Sequence, residues 1–184
     1  MSAAALIIID VQKAIDDPRW GSDRNNPSAE ARIAALLARW RAREWPIVHV
    51  RHASREPHST YRPDGPGFAF KDEVQPLPGE RIVEKQTNSA FIGTGLEQEL
   101  RERGIARLVL CGVITNNSVE ATARMAGNLG FDTIVVSDAT ATFGRNDFEG
   151  RWRTADEVHA MSLANLDGEY ATVLDTADVL RRDR

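Results

Sequence analysis

Three polar residues stand at the ends of apolar runs in this sequence, and their chemical types are complementary. Ala4 to Asp10 (Ala-Ala-Leu-Ile-Ile-Ile-Asp) closes on a carboxylate, and Arg81 to Glu84 is followed at once by Lys85. Leu108 to Val113 runs into a polar elbow, Thr115-Asn116-Asn117-Ser118, that offers a hydroxyl. Beyond it a helical pattern places Val119, Thr122, Met125, Ala126 and Leu129 on one side and stops at Gly130. Ser118 is thereby predicted at the N-terminus of a helix, whose free N–H groups and partial positive charge suit a developing oxyanion. A carboxylate, a lysine and a hydroxyl make a workable set for attack on a carbonyl. The Asp takes the nucleophile's proton, the Lys holds the pair, and the helix end receives the oxyanion. Read by itself Ser118 is equally a helix N-cap, a position serine favours, and the two roles are compatible.

These residues meet only if their runs are neighbouring strands. Each run is short, apolar and β-branched, the pattern of a strand in a parallel sheet covered on both faces. Ile47 to Val50, Thr133 to Val136 and Tyr170 to Leu174 read as further strands. Asn26-Pro27 is expected to open a helix, with Asn as cap and Pro in the first position. In it Ile33, Leu36, Leu37 and Trp40 recur at helical spacing, and Pro46 ends it. Leu96 to Arg103 reads as a helix closed by Gly104, Thr154 as the cap of another, and Thr176 to Leu180 as a last turn or two. Ala14 to Asn26, Ala139 to Phe143 and Gly144 to Trp152 read as loops, and Arg181 to Arg184 as a frayed, solvated end. His52 to Glu80 is too long for a simple turn; such loops are usually lids or contact segments. Strands alternating with helices imply one α/β domain over residues 1–184, three layers (α/β/α) around a six-stranded, mostly parallel, Rossmann-like sheet. Ligands of such sheets bind past the strand C-termini where strand order reverses. That crevice is expected to hold Asp10, Lys85 and Ser118, with Gln12 facing the same way as Asp10.

The net charge of -4 gives no electrostatic case for nucleic acid or an anionic membrane. No apolar run is long enough to span a bilayer, and the start of the chain has no basic n-region, so no signal peptide is expected. Cys111 is the one cysteine, which excludes an internal disulfide and fits a reducing, cytoplasmic compartment. Of 23 basic residues only Lys13, Lys71 and Lys85 are lysines, so a lysine kept in this arginine-rich chain draws notice for its chemistry.

Ile-Ile-Asp-Val-Gln, Glu-Lys-Gln-Thr-Asn-Ser-Ala-Phe, Cys-Gly-Val-Ile-Thr-Asn-Asn-Ser-Val-Glu-Ala-Thr-Ala-Arg and Val-Val-Ser-Asp-Ala-Thr follow one another along the chain. Taken in order they resemble the isochorismatase-like (cysteine hydrolase) superfamily, over Leu6 to about Leu174. The resemblance implies a small-molecule hydrolase with an Asp–Lys–Cys triad that attacks carboxamides and ureido groups, with no cofactor, assembled as a homodimer or homotetramer. By motif the Asp is Asp10 and the Lys is Lys85. A cis peptide is implied at Val113–Ile114, and an oxyanion hole at the N–H groups of Ile114 and Ser118. Gln12, Trp20, Asn88, Phe91 and Asn117 are expected to contact substrate, although core packing accounts equally well for Trp20 and Phe91. Asn116 and Asn117 are expected to shape the elbow, because Asn tolerates unusual dihedrals. The family's cysteine position carries Ser118, while Cys111 lies inside the strand as a small apolar residue. A serine hydroxyl is a far weaker nucleophile at neutral pH than a thiolate. Three readings stay open: a serine-dependent amidase, a vinyl-ether hydrolase with Asp10 as general acid, and a silent homologue or Cys→Ser variant. Some members of the superfamily hold a metal through an Asp and several His. Here His52 and His58 lack the Asp-x-His pattern, so no metal is expected and both read as contacts to substrate or a neighbouring subunit.

Overall fold

A computed structural model describes residues 4–182. Eight strands occur in it: β1 (Ala5–Ile9), β2 (Ile47–His52), β3 (Arg81–Lys85), β4 (Arg107–Val113), β5 (Asp132–Ala141), β6 (Arg145–Asn146), β7 (Trp152–Arg153) and β8 (Thr172–Leu174). Six of them form one sheet in the order β3-β2-β1-β4-β5-β8, and every neighbouring pair is parallel. The main sheet is thus wholly parallel, and β6 and β7 make a separate antiparallel ribbon in the segment read as a polar loop. Strand order reverses between β1 and β4, so the ligand crevice of this architecture lies past Ile9 and Val113.

Side-chain alternation along β1 divides the core. Ile7 and Ile9 face one cluster with Leu96 and Leu100 of α2 (Leu96–Glu102), Ala123 and Ala126 of α3 (Glu120–Asn128) and Leu166 of α4 (Ala155–Leu166). Leu6 and Ile8 face the other, with α1 (Ala29–Ala42) and Val179 of α5 (Thr176–Arg182). Ile33, Leu36, Leu37 and Trp40 are the buried stripe of α1, as their spacing requires, and each contributes about 1.5–3 kcal/mol of transfer free energy. Gly112 lets β4 lie against β1: its φ is +124°, and a Cβ there would run into the Ile9 carbonyl. No helix of the described residues is long and apolar enough to cross a membrane.

Several boundaries differ from the sequence reading, each for a tertiary reason. β5 continues through the threonine-rich stretch to Ala141, because Gly112 pairs with Thr140 after a bulge between Leu110 and Gly112. Asn26 is no helix cap; α1 starts at Ala29 after Ser28. The Asn26 backbone is left-handed (φ 44°), and its amide donates to the carbonyls of Ser137 and Thr140 at 2.9 and 2.7 Å, beside the bulge. Helix α1 ends at Ala42, short of Pro46, through a left-handed Glu44. The segment Ala14–Asn26 contains 3₁₀ turns at Lys13–Asp16 and Pro18–Trp20 rather than loop alone. Arg181 and Arg182 belong to α5 and are not frayed, while Asp183 and Arg184 lie outside the described residues. Thr154 caps α4 as its sequence predicts, in a capping box with Glu157.

Candidate active site

Asp10 follows β1 directly and has φ 53°, a left-handed value that costs about 1 kcal/mol and that Asp accepts better than most residues. Its N–H still bonds the Val50 carbonyl at 2.9 Å, so the kink occurs under the grip of the sheet. Lys85 is the last residue of β3 and reaches past the end of β2, fully buried, to place Nζ 2.6 Å from Asp10 Oδ2. The same ammonium donates to Ser118 Oγ at 3.2 Å and to the Thr87 carbonyl at 3.1 Å, and His52 Nδ1 stands 3.4 Å away. The strand ends therefore bring Asp10, Lys85 and Ser118 together around one nitrogen. Asp10 Oδ1 is buried and has no hydrogen-bond partner among the described residues. Such an orphan is costly in a core and intelligible in a site, where a reacting group completes it.

Ser118 sits in a single π-helical turn, Thr115–Val119, between β4 and α3. Such turns often mark functional positions. Its side chain does not cap α3, whose N-cap position is Val119, so the hydroxyl is left to face Lys85. The Val113–Ile114 peptide is cis. Asn117 N–H and Val119 N–H both donate to the Ile114 carbonyl. Neither Asn116 nor Asn117 takes a positive φ, contrary to the reason given for Asn there. Asn116 instead pins the elbow by accepting from Thr142 Oγ1 at 2.5 Å. Thr115 Oγ1 meets His159 Nδ1 of α4 at 3.0 Å, and burial holds that imidazole below its ordinary pKa.

These groups open on a cavity of about 360 Å³. Asp10, Ser118, Val113 and Ile114 line it, together with Trp20, Asn88 and Asn117. Trp20 both lines the cavity and packs, stacked on Phe143 with centroids 5.5 Å apart. Two expected contacts fall elsewhere. Gln12 is fully buried and spends its amide on the backbones of His52 and Phe68. Phe91 is stacked on Phe131 against the core, with centroids 5.8 Å apart. The long loop after β2 supplies His58, Ser59, Thr60 and Tyr61, and the 3₁₀ turn at Pro18–Trp20 supplies Arg19. Arg19 ties these two segments across the mouth by donating to the His58 carbonyl at 2.6 Å. Arg19 and Tyr61 escaped sequence reasoning; the one usable signal was the length of the loop carrying Tyr61. Burial, together with the charge of Asp10, pushes the Tyr61 phenol far up, so it stays a neutral hydroxyl. Cys111 lies on the far face of β4 with its thiol pushed up by burial, inert to this chemistry.

Among the described residues no group of three or more His, Cys, Asp and Glu is placed to hold a metal ion, and the Lys85 ammonium stands against His52.

A family model described as the isochorismatase domain matches residues 4–178. The chain is 46% identical over 176 residues to an uncharacterized isochorismatase family protein of Bacillus subtilis, covering 96% of this chain and 94% of the relative. It is 28% identical to the ureidoacrylate amidohydrolase RutB of Methylobacterium radiotolerans, covering 94% of this chain and 76% of that one. A crystal structure described as a putative hydrolase of the isochorismatase family, from Chromobacterium violaceum, superposes with a TM-score of 0.94 at 60% identity, over 97% of this chain and 92% of that one. Fold, strand-end geometry and these likenesses agree, and the chain belongs to the isochorismatase family of hydrolases.

Proposed function

We propose that this hydrolase cleaves the C–N bond of a small amide or ureido substrate, with Ser118 as nucleophile, Asp10 as proton carrier and Lys85 as the group that holds both. Asp10, which lines the cavity beside Ser118 and whose buried Oδ1 has no partner among the described residues, carries the reading. Ser118 Oγ attacks the carbonyl carbon and its proton passes to Asp10 Oδ1. The carbonyl oxygen, now negative, is received by the N–H groups of Ile114 and Ser118. Asp10 returns the proton to the departing nitrogen, and the C–N bond breaks. Water, deprotonated by the same carboxylate, then hydrolyses the ester and restores Ser118. The amidohydrolase name borne by one relative is consistent with this chemistry. The test is a panel of small amides, ureido acids and N-carbamoyl amines given to the native chain and to Ser118→Cys, with ammonia release followed. Turnover by the native chain, and a trapped ester on Ser118, are expected. Ammonia from the Cys form alone would refute serine as a working nucleophile, and ammonia from neither form would refute the reaction class.

One observation favours a second reading. Ser118 Oγ bonds Lys85 and makes no hydrogen bond to Asp10, so no base yet sits on the hydroxyl. A vinyl-ether hydrolase needs no such base, only Asp10 as general acid. That reaction survives Ser118→Ala and is lost in Asp10→Asn, measured with isochorismate.

A further inference from the structure

His52 takes no part in the steps above, yet it touches their centre. It is the last residue of β2 and lines the cavity with Asp10 and Ser118. Gln12 clamps its backbone from both sides, accepting from its N–H at 2.7 Å and donating to its carbonyl at 3.2 Å. Tyr61 meets the ring edge-on with centroids 5.7 Å apart. The imidazole is thereby fixed with Nδ1 3.4 Å from Lys85 Nζ.

An ammonium has three N–H donors, and Lys85 Nζ has four acceptors within reach. They are Asp10 Oδ2 at 2.6 Å, the Thr87 carbonyl at 3.1 Å, Ser118 Oγ at 3.2 Å and His52 Nδ1 at 3.4 Å. One acceptor is always unserved. The Asp10 bond is short and charge-assisted, and the Thr87 carbonyl is fixed in the backbone, so Ser118 and His52 share the third N–H. An N–H on Ser118 Oγ draws electron density from the oxygen and so weakens the attack of its other lone pair on a carbonyl.

We propose that His52 is a positioning residue, whose neutral ring, with its proton on Nε2, takes the third N–H of Lys85 at Nδ1 and so releases the Ser118 oxygen to attack. This rests on Ser118 being the nucleophile. No proton changes owner in the exchange: Lys85 keeps three, and one hydrogen bond moves. A protonated ring has no acceptor at Nδ1 and sets a second cation against the ammonium, which stops the exchange. Burial first, then the charge of Lys85, holds the His52 pKa below its ordinary value, against the pull of Asp10 and the Thr87 carbonyl. The remaining charged or titratable groups facing the cavity around the ring are Arg19, His58 and Tyr61.

The experiment is a ¹⁵N–¹H titration of the imidazoles in the whole native chain, Lys85→Met and Asp10→Asn. The native ring is expected as the Nε2–H tautomer. Its pKa should rise by about one unit or more in Lys85→Met, which removes the cation, and fall in Asp10→Asn, which leaves that cation uncompensated. Opposite shifts separate charge coupling from lost packing, and neither needs a substrate. An Nδ1–H tautomer, or a titration that stays put, overturns the proposal. If Lys85→Met does not fold, the Asp10→Asn shift decides alone. The pH–rate profile is the second readout. His52→Asn, whose amide oxygen can stand near Nδ1 and accept the same N–H without titrating, should keep kcat within a few-fold and lose the His52 part of the acid limb. His52→Leu, which has no acceptor, should instead lower kcat about tenfold, the worth of one hydrogen bond, at unchanged KM. An acid limb unchanged in His52→Asn, or a kcat unchanged in His52→Leu, overturns the proposal as well. A panel with no turnover refutes the nucleophile reading instead, and the titrations still decide the His52–Lys85 coupling.

Discussion

Lys85→Met should destabilise the fold more than any loss of packing explains. The Asp10 and Lys85 side chains are 4% and 0% exposed, and Oδ2 lies 2.6 Å from Nζ. At an effective dielectric of about 20, charges at that separation attract by about 6 kcal/mol. Desolvation costs several kcal/mol per ion, so the pair as a whole contributes little net stability. Removing one partner is different, because Asp10 keeps its desolvation and loses its attraction, with Oδ1 already unpartnered. The expected cost is about 3–5 kcal/mol. Asp10→Asn alone should cost about as much, since it strands the ammonium. The double variant Asp10→Asn/Lys85→Met should cost only about 1–2 kcal/mol, a coupling that far exceeds the few tenths found for independent sites. Urea denaturation of the four proteins at neutral pH measures it, provided the m-values agree. A loss below about 1 kcal/mol in Lys85→Met, or additive losses in the double variant, would show that the pair is not desolvated as described.

Two further perturbations test the frame that holds the pair. Gly112→Ala forces a Cβ into the backbone of Ile9 at φ +124°, and should cost about 3 kcal/mol or more, read as a lowered Tm; an unchanged Tm would mean that β1 and β4 lie farther apart than this. Glu80 is pushed up by burial but held down to about 2 by Arg41, the Leu77 N–H and His49, from an ordinary 4.5. A depressed carboxylate stabilises the fold above its unfolded value and loses that contribution as pH falls through the folded one. Native stability should therefore drop more steeply between pH 4.5 and 2 than that of Glu80→Gln, and parallel curves of urea midpoint against pH would contradict the assignment.

Much of the fold was legible because its signals are local. Ile33, Leu36, Leu37 and Trp40 declare a helix face by spacing, and Thr154 with Glu157 declares a helix start. What stayed hidden depends on pairing. Ala139 to Ala141 read as loop because threonine and alanine carry no apolar signal; they become strand because Val113 and Gly112 lie opposite them after the bulge. Asn26 looked like a cap because Asn-Pro is a cap signature. Its amide was drawn instead to two carbonyls more than 100 residues away.

The site divides in the same way. Asp10, Lys85 and Ser118 were readable because a parallel sheet collects its strand ends on one edge, so three separate runs imply one place. Arginine-rich composition was the weaker clue. Of the three lysines, Lys13 pairs with Asp72 and Lys71 with Asp16 and Glu30, and only Lys85 enters the site. Position at a strand end discriminated where residue type did not. Gln12 shows the limit of the same rule, since it follows Asp10 by two residues and still turns inward to clamp His52. Strand ends fix where a backbone arrives; where a side chain then points depends on which carbonyls nearby lack donors. Arg19 and Tyr61 reach the cavity from segments without regular repeat, placed by contacts such as Arg19 to the His58 carbonyl that no spacing encodes. The clustering of Asp10, Lys85 and Ser118 was thus written in the order of the strands, whereas the walls of the cavity were set by folding of the loops around them.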